Sequence, residues 1–271
     1  MPKSKHRRKG DKRPVRRSGK NEGPTDYRTA RPTNIPSGYE SNSKPAPAQT
    51  SRQCPYLDRI ATLANVFTKD ECTDIINNAL NNWGERESQI QRDRDGKIEQ
   101  NFEHDLDYRN TTLFIPPKPD DWLFGQILGA ILEFNNSKDG YQFEISGLAE
   151  PPSLMRYHAQ DIDKNGKPGK YDWHIDVGPG PIPSMRKLSY SILLNPGEYE
   201  GGDFITKVGR SDVGFEKNWI KAAEIQQPSL PVEDMIGTMI LFPSYILHRV
   251  DAVTKGTRYS MVGWAHGNSF S

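Results

Sequence analysis

Cysteine is nearly absent, with Cys54 and Cys72 the two thiols in 271 residues. Cys54 adjoins Pro55 at the edge of a polar segment and Cys72 sits in a helical pattern, so no disulfide framework braces the fold and a reducing compartment fits best. Long apolar runs are missing too. None approaches the roughly 18 residues of a membrane span, and the N-terminus lacks the apolar centre of a secretory signal. These absences predict a cytoplasmic protein with no membrane span. A repeat of fixed period is also lacking, which argues against a solenoid or propeller.

Charge is present in quantity but unevenly placed. Residues 1–50 hold thirteen Lys or Arg against four Asp or Glu, a net of +9 in a chain whose formal total is +1, so the remainder carries −8. The same stretch has few large apolar residues to bury, and the mean hydropathy of the whole chain is only −0.79. Burial there cannot offset the entropy of ordering the backbone. Residues 1–55 are therefore expected to be a disordered basic tail and residues 56–271 the folded domain. A basic arm would be drawn to nucleic acid or another anionic surface through phosphate contacts. A targeting signal and a merely solvated tail are the alternatives.

Helical signals come first in the folded region. Thr68 and Glu71 have capping-box spacing, and Phe67 can staple the helix entry. Cys72, Ile75, Ile76, Ala79, Leu80 and Trp83 then follow at the period of one buried stripe. A second helix is expected after Asp120-Asp121, with Trp122, Ile127, Leu128, Ile131 and Phe134 on its apolar face and Asn135-Asn136 at its end. Between the two, the charged stretch 85–100 reads as an exposed loop and 111–115 as a short strand.

From Leu154 onward the pattern turns to short alternating or apolar runs divided by Gly and Pro, the mark of a sheet pair or barrel. Strands are expected over 154–158, 171–176, 187–195, 203–207, 238–242, 248–253 and 258–264. Helices packed on one distorted sandwich, an α+β domain, is the simplest architecture.

Within the second of these strands stand His174 and Asp176, one residue apart, and strand side chains at i and i+2 share a face. Imidazole and carboxylate could converge there on one ion. His248, in the apolar stretch 242–250, offers a third ligand from a distant strand. Two histidines and one carboxylate on one face of an octahedron leave positions open for cosubstrate and oxygen, the design of non-haem iron(II) oxygenases. A His-x-Asp triplet alone is common. Arg258 adds weight, because a guanidinium ten residues beyond His248 could bind a dicarboxylate through bidentate hydrogen bonds, with Ser260 on the same strand face.

His174-x-Asp176, His248 and Arg258 resemble the Fe(II)/2-oxoglutarate-dependent dioxygenase superfamily, and the surrounding segments are similar to its prolyl 4-hydroxylase-like branch, the bacterial PKHD-type hydroxylases above all. The matching stretches include Met155-Arg156-Tyr157, 171–176, Arg186-Lys187-Leu188-Ser189, Tyr199-Glu200-Gly201-Gly202-Asp203 and 237–264. The resemblance implies a double-stranded β-helix (jelly-roll) core with supporting N-terminal helices. It implies iron(II) held by His174, Asp176 and His248, with 2-oxoglutarate held at its distal carboxylate by Arg258 and assisted by Tyr157. Oxygen would attack the keto acid, releasing carbon dioxide and succinate and hydroxylating a substrate, with ascorbate in support. The expected substrate is a peptide or protein side chain, proline first. Leu193 departs from the pattern, since some prolyl hydroxylases place a polar residue there, and Tyr190 or Ser260 would substitute. Trp173, Tyr190 and Trp264 are candidate pocket residues.

Other features carry bland readings beside sharper ones. Asp161-Ile162-Asp163-Lys164-Asn165-Gly166 has EF-hand-like spacing with Asp172 at the twelfth position, yet Pro168 interrupts it and Asp replaces the bidentate Glu, so a polar hairpin connection is expected over a calcium site. Gly201-Gly202 reads as a tight turn or bulge. His104 and His266 read as structural or exposed, while His158 lies toward the open end of the expected site. Two rival functions use the same residues differently: a nucleic-acid-directed oxygenase reached through the basic tail, and a non-catalytic binding or assembly module.

Overall fold

The computed structural model describes residues 59–91, 102–160, 166–207, 219–221 and 232–270. The basic tail with Cys54, and residues 161–165 of the calcium-like loop, lie outside the described residues.

Among the described residues, two α-helices, two large sheets and a two-stranded ribbon make up the domain. After β1 (Ala61–Leu63), Thr68 caps α1 (Lys69–Asn82). Both halves of the capping box form, with the Glu71 carboxylate accepting from the Thr68 backbone N–H at 2.8 Å. Cys72, Ile75 and Ala79 are buried as the stripe requires, whereas Leu80 turns outward. Asp120 caps α2 (Asp121–Asn135) by accepting from the Leu123 N–H at 3.1 Å. Leu123, Ile127 and Ile131 form its buried face. Trp122, expected on that face, is instead 48% exposed, one position round the helix, with its ring centroid 5.6 Å from that of Phe67.

Most strands are short, and the last is the long exception. β2 (Gly84–Glu87), β3 (Ile90–Gln91), β4 (Phe102–Glu103), β5 (Arg109–Asn110) and β6 (Thr112–Ile115) follow α1 and precede α2. Then come β7 (Ser153–His158), β8 (Lys170–His174), β9 (Arg186–Leu193), β10 (Tyr199–Gly201), β11 (Phe204–Lys207) and β12 (Trp219–Lys221). The last three are β13 (Met239–Pro243), β14 (Leu247–Val250) and β15 (Val253–His266). The charged stretch 85–100 is thus not wholly loop. β2 pairs with β6 although its side chains are all exposed, because an edge strand needs only backbone partners on one side. No periodicity could reveal it.

The larger sheet runs β1-β13-β9-β15-β7-β6-β2, with β10 also on β15, and the smaller runs β12-β11-β14-β8-β5. All the described pairings are antiparallel. This is the jelly-roll core with helices on one side. One apolar cluster joins α1 and α2 to the outer face of the larger sheet through Leu188, Ile192, Leu241 and Met261. The other fills the space between the sheets with Met155, Tyr157, Leu193, Phe242 and Val253 facing Phe204 and Val250. Helices therefore support one sheet, which leaves the interior between the sheets for chemistry. Among the described residues, no helix is long and apolar enough to cross a membrane.

Candidate metal centre

β8 ends at His174, so Asp176 belongs to the turn after the strand rather than to the strand itself. The convergence expected from i and i+2 on one strand face arises differently. His248 of β14 stands opposite His174, but Val250 stands opposite Tyr171, so β8 carries an extra residue between these pairs. Such a bulge lets Tyr171 and His174 both face the interior. The Tyr171 ring stacks on the His174 imidazole with centroids 3.5 Å apart and planes at 11°. Arg109 lies over the other part of this stack, 4.3 Å from the Tyr171 centroid. Nothing in the sequence pattern of Arg109, two residues from the end of an acidic loop, announces that contact.

His174, Asp176 and His248 each offer one ligand atom, all within 4.8 Å of one another. His174 Nε2 is 3.8 Å from Asp176 Oδ1, and His248 Nε2 is 3.5 Å from Asp176 Oδ2. Both imidazoles are oriented by their other nitrogen. Nδ1 of His174 donates to the Asp172 carbonyl at 2.7 Å, and Nδ1 of His248 donates to the Ile246 carbonyl at 2.9 Å. Because a carbonyl can only accept, Nδ1 carries a proton in both rings, and in the neutral ring the Nε2 lone pair faces the shared space. Burial, reinforced by His248, pushes the His174 pKa down to about 3, which keeps this lone pair free at neutral pH. Burial alone would raise the Asp176 carboxyl; the adjacent His248 and His174, a Ser189 hydrogen bond and Arg186 hold it below the ordinary carboxylate value. Two imidazoles and a carboxylate suit a divalent first-row metal.

The group opens on a cavity of about 820 Å³ walled by Met155, Tyr157, Tyr171, Phe204, Phe242, Val250 and Val262, with Tyr108, Arg109, Arg186 and Trp264 also on its lining. Arg258 lies against that wall, 1% exposed, with its guanidinium carbon 5.0 Å from the Tyr157 ring. Nη1 donates to Ser260 Oγ at 2.8 Å, while Nε and Nη2 are buried without a hydrogen-bond partner. Tyr157 stands opposite Arg258, and Leu193 opposite Ser260. A buried cation with two idle donors calls for an anion, and a carboxylate fits that fork. Burial raises the Tyr157 pKa, so the phenol stays a donor; its hydroxyl lies 3.2 Å from the Met155 sulfur, with the Arg258 charge beside it.

Tyr190 projects from the opposite face of β9 to Leu193, into the helix-side cluster, and also lines the cavity. Its hydroxyl is buried without a partner and occupies the place a side chain at position 263 would need, which only Gly263 leaves free. Trp173 lies outside the cavity lining, with Arg249 4.9 Å from its ring centroid. His158 bonds Thr257 Oγ1 at 2.8 Å, and His104 is exposed beside Gln89.

Residues 155–266 match the family model described as the 2OG-Fe(II) oxygenase superfamily. A PKHD-type hydroxylase of Picosynechococcus sp. is 37% identical over 78 residues, 28% of each chain. Another, of Prochlorococcus marinus, is 31% identical over 113 residues, 40% of this chain and 42% of its own. The chain thus spans less than half the length of these curated relatives. A solved prolyl hydroxylase from Trichoplax adhaerens, in complex with a peptide fragment of the hypoxia inducible factor oxygen degradation domain, has a similar fold. Its TM-score is 0.52 at 15% sequence identity, over 77% of this chain and 84% of that one.

Proposed function

We propose, on the premise that residues 155–266 are a 2OG-Fe(II) oxygenase domain of the prolyl 4-hydroxylase-like branch, that this protein is an iron(II)- and 2-oxoglutarate-dependent hydroxylase. The reading is carried by one juxtaposition: a pair of imidazoles and a carboxylate open onto a cavity beside a buried, half-satisfied guanidinium. His174, Asp176 and His248 would hold iron(II). When bound, the metal and 2-oxoglutarate would supply activation of oxygen, with release of succinate and carbon dioxide.

The chain's own residues do the rest. Arg258 Nε and Nη2 would take the distal carboxylate of 2-oxoglutarate, and the Ser260 and Tyr157 hydroxyls would flank it. Tyr190, whose buried hydroxyl has no partner, adds a donor on the cavity wall. Phe204, Phe242 and Val250 exclude water from the reacting centre, which strengthens each polar contact made there. The substrate is a peptide or protein side chain, proline first, a reading supported by the PKHD-type relatives and by the peptide named with the Trichoplax enzyme. Ascorbate would keep the iron reduced between turnovers. Residues 1–55 would add attraction to a polyanionic partner.

Purified protein given iron(II), ascorbate and 2-oxoglutarate is expected to release succinate slowly without added substrate, and His174→Ala to abolish that release. Absence of metal-dependent succinate from the wild type would overturn the reading. Prolyl peptides incubated with the protein should gain a mass of +16, the addition of one oxygen atom.

A further inference from the structure

Three arginines surround the cavity, and their donors are used differently. Arg258 has two idle nitrogens and Arg109 has a buried, unpartnered Nε. In Arg186 every nitrogen already has a partner. Its Nε donates to Glu150 Oε2 at 2.7 Å and its Nη2 to Glu150 Oε1 at 2.6 Å, a bidentate fork, while Nη1 donates to the backbone carbonyl of Asp176 at 2.9 Å. The guanidinium carbon lies over the Trp264 ring, 3.5 Å from its centroid. A guanidinium engaged at all three nitrogens is committed to the protein's own frame. Its work is directed at Asp176.

We infer that Arg186 is a positioning residue for the metal-ligating carboxylate of Asp176, held in place by Glu150 and His266. The inference rests on the metal reading given above.

Asp176 needs such a device because of where it lies. It follows β8 in an irregular turn, outside any ladder that would fix its backbone. Its N–H donates to the Ser244 carbonyl at 2.9 Å, and Arg186 grips its own carbonyl, so the peptide units on both sides of its Cα are tied down. Arg186 opens β9, Trp264 and His266 close β15, and Glu150 lies just before β7, all on the larger sheet. β8 belongs to the smaller sheet. The network therefore registers the ligand turn of one sheet against the frame of the other. Glu150 is itself fixed. His266 accepts the Ala149 N–H on Nδ1 at 3.0 Å, so its Nε2–H donates to Glu150 Oε2, also at 3.0 Å. His266 and Trp264 thereby gain a joint role that neither position suggests alone.

The geometry separates this role from that of an ordinary ion pair. Lysine at 186 keeps a charge opposite Glu150 but lacks the planar fork that reaches carboxylate and carbonyl together. Full-length Arg186→Lys, Glu150→Gln and Lys255→Ala are to be compared with the wild type by calorimetric titration with manganese(II), a redox-quiet stand-in for iron. Lys255→Ala removes an exposed pair with Glu200 and serves as control. Melting of each metal-free protein and the visible spectrum of its cobalt(II) form are recorded in parallel. Arg186→Lys is expected to fold, to bind manganese(II) about 10–100-fold more weakly and to alter the cobalt(II) spectrum, with Glu150→Gln in the same direction and the control unchanged. If Arg186→Lys melts early, Glu150→Gln, which keeps an acceptor for the fork, decides. Wild-type affinity and an unaltered cobalt(II) spectrum in a folded variant would overturn the positioning role. A wild type that binds no manganese(II) would instead overturn the metal reading itself.

Discussion

Gly202 stands against the stem of Arg258 so closely that a methyl group at position 202 would lie 2.8 Å from Arg258 Cδ. The glycine also sits at φ +67, just after the bulge where β10 leaves β15, a conformation costing most residues about 1 kcal/mol or more. The space beside the guanidinium is thus kept open by an absent side chain. Gly202→Ala should displace Arg258 and weaken 2-oxoglutarate binding by roughly tenfold, the size of one good charge-assisted hydrogen bond. Manganese(II) affinity should hold. Titrating the metal-loaded variant with 2-oxoglutarate checks this, and an undiminished affinity would show that Arg258 does not need the gap.

Arg258→Met gives the converse test. A guanidinium 1% exposed with two idle donors is a cost to the ligand-free protein, since burying charge without full compensation is unfavourable. Methionine has a comparable stem and no such demand. The variant should therefore melt at the same temperature as the ligand-free wild type or higher, by an amount corresponding to about 1–3 kcal/mol at most. It should also lose the stabilisation that added 2-oxoglutarate gives the wild type. Thermal melting with and without the cosubstrate reads both effects. A large drop in ligand-free stability would mean that Arg258 is chiefly a structural residue.

The jelly roll was legible because its strands are short, apolar and cut apart by Gly and Pro, and because the Thr68 and Asp120 caps punctuate the helices by local chemistry alone. β2 was not legible, since a solvent-exposed edge strand of Gly84, Glu85, Arg86 and Glu87 has backbone partners but no apolar alternation. Trp122 misled for the opposite reason: hydrophobicity does not report which side of a helix start faces the core. At the centre, residue types carried more than spacing did. An i, i+2 pairing of ligands requires an unbroken strand through Asp176, whereas a bulge in β8 aims His174 inward and a turn delivers the carboxylate. The Arg186, Glu150 and His266 network joins residues from three distant segments, and such contacts leave no periodic trace.

The stack of Tyr171 on His174 supports a third prediction. The ring limits rotation of the imidazole from the side that the Nδ1 hydrogen bond to Asp172 leaves free. Tyr171→Leu preserves apolar burial but removes the flat contact, worth about 1 kcal/mol. Manganese(II) affinity should fall roughly fivefold, with 2-oxoglutarate binding to the metal-loaded protein little changed. Calorimetry separates the two. Equal loss in both would point to collapse of the cavity wall rather than to a loosened ligand.

The last prediction concerns acid. Burial acts to raise the Glu150 carboxyl, but hydrogen bonds from His266 and Arg186 outweigh it and hold the pKa below its ordinary 4.5. A carboxylate whose pKa is lower in the folded chain than in the unfolded one stabilises the fold above the unfolded value, and that contribution disappears as pH falls through the folded value. Wild type should therefore exceed Glu150→Gln in melting temperature by a constant margin from neutral pH down to about 5, and the margin should shrink below about 4.5 as the unfolded chain begins to take up the proton first. Melting curves of the metal-free proteins across this range isolate the carboxyl from any effect of acid on metal binding. A margin that stays constant through pH 3 would mean that the ionised form of Glu150 adds nothing the neutral amide cannot. The positioning of Asp176 would then depend on the geometry of the hydrogen bonds and not on the charge.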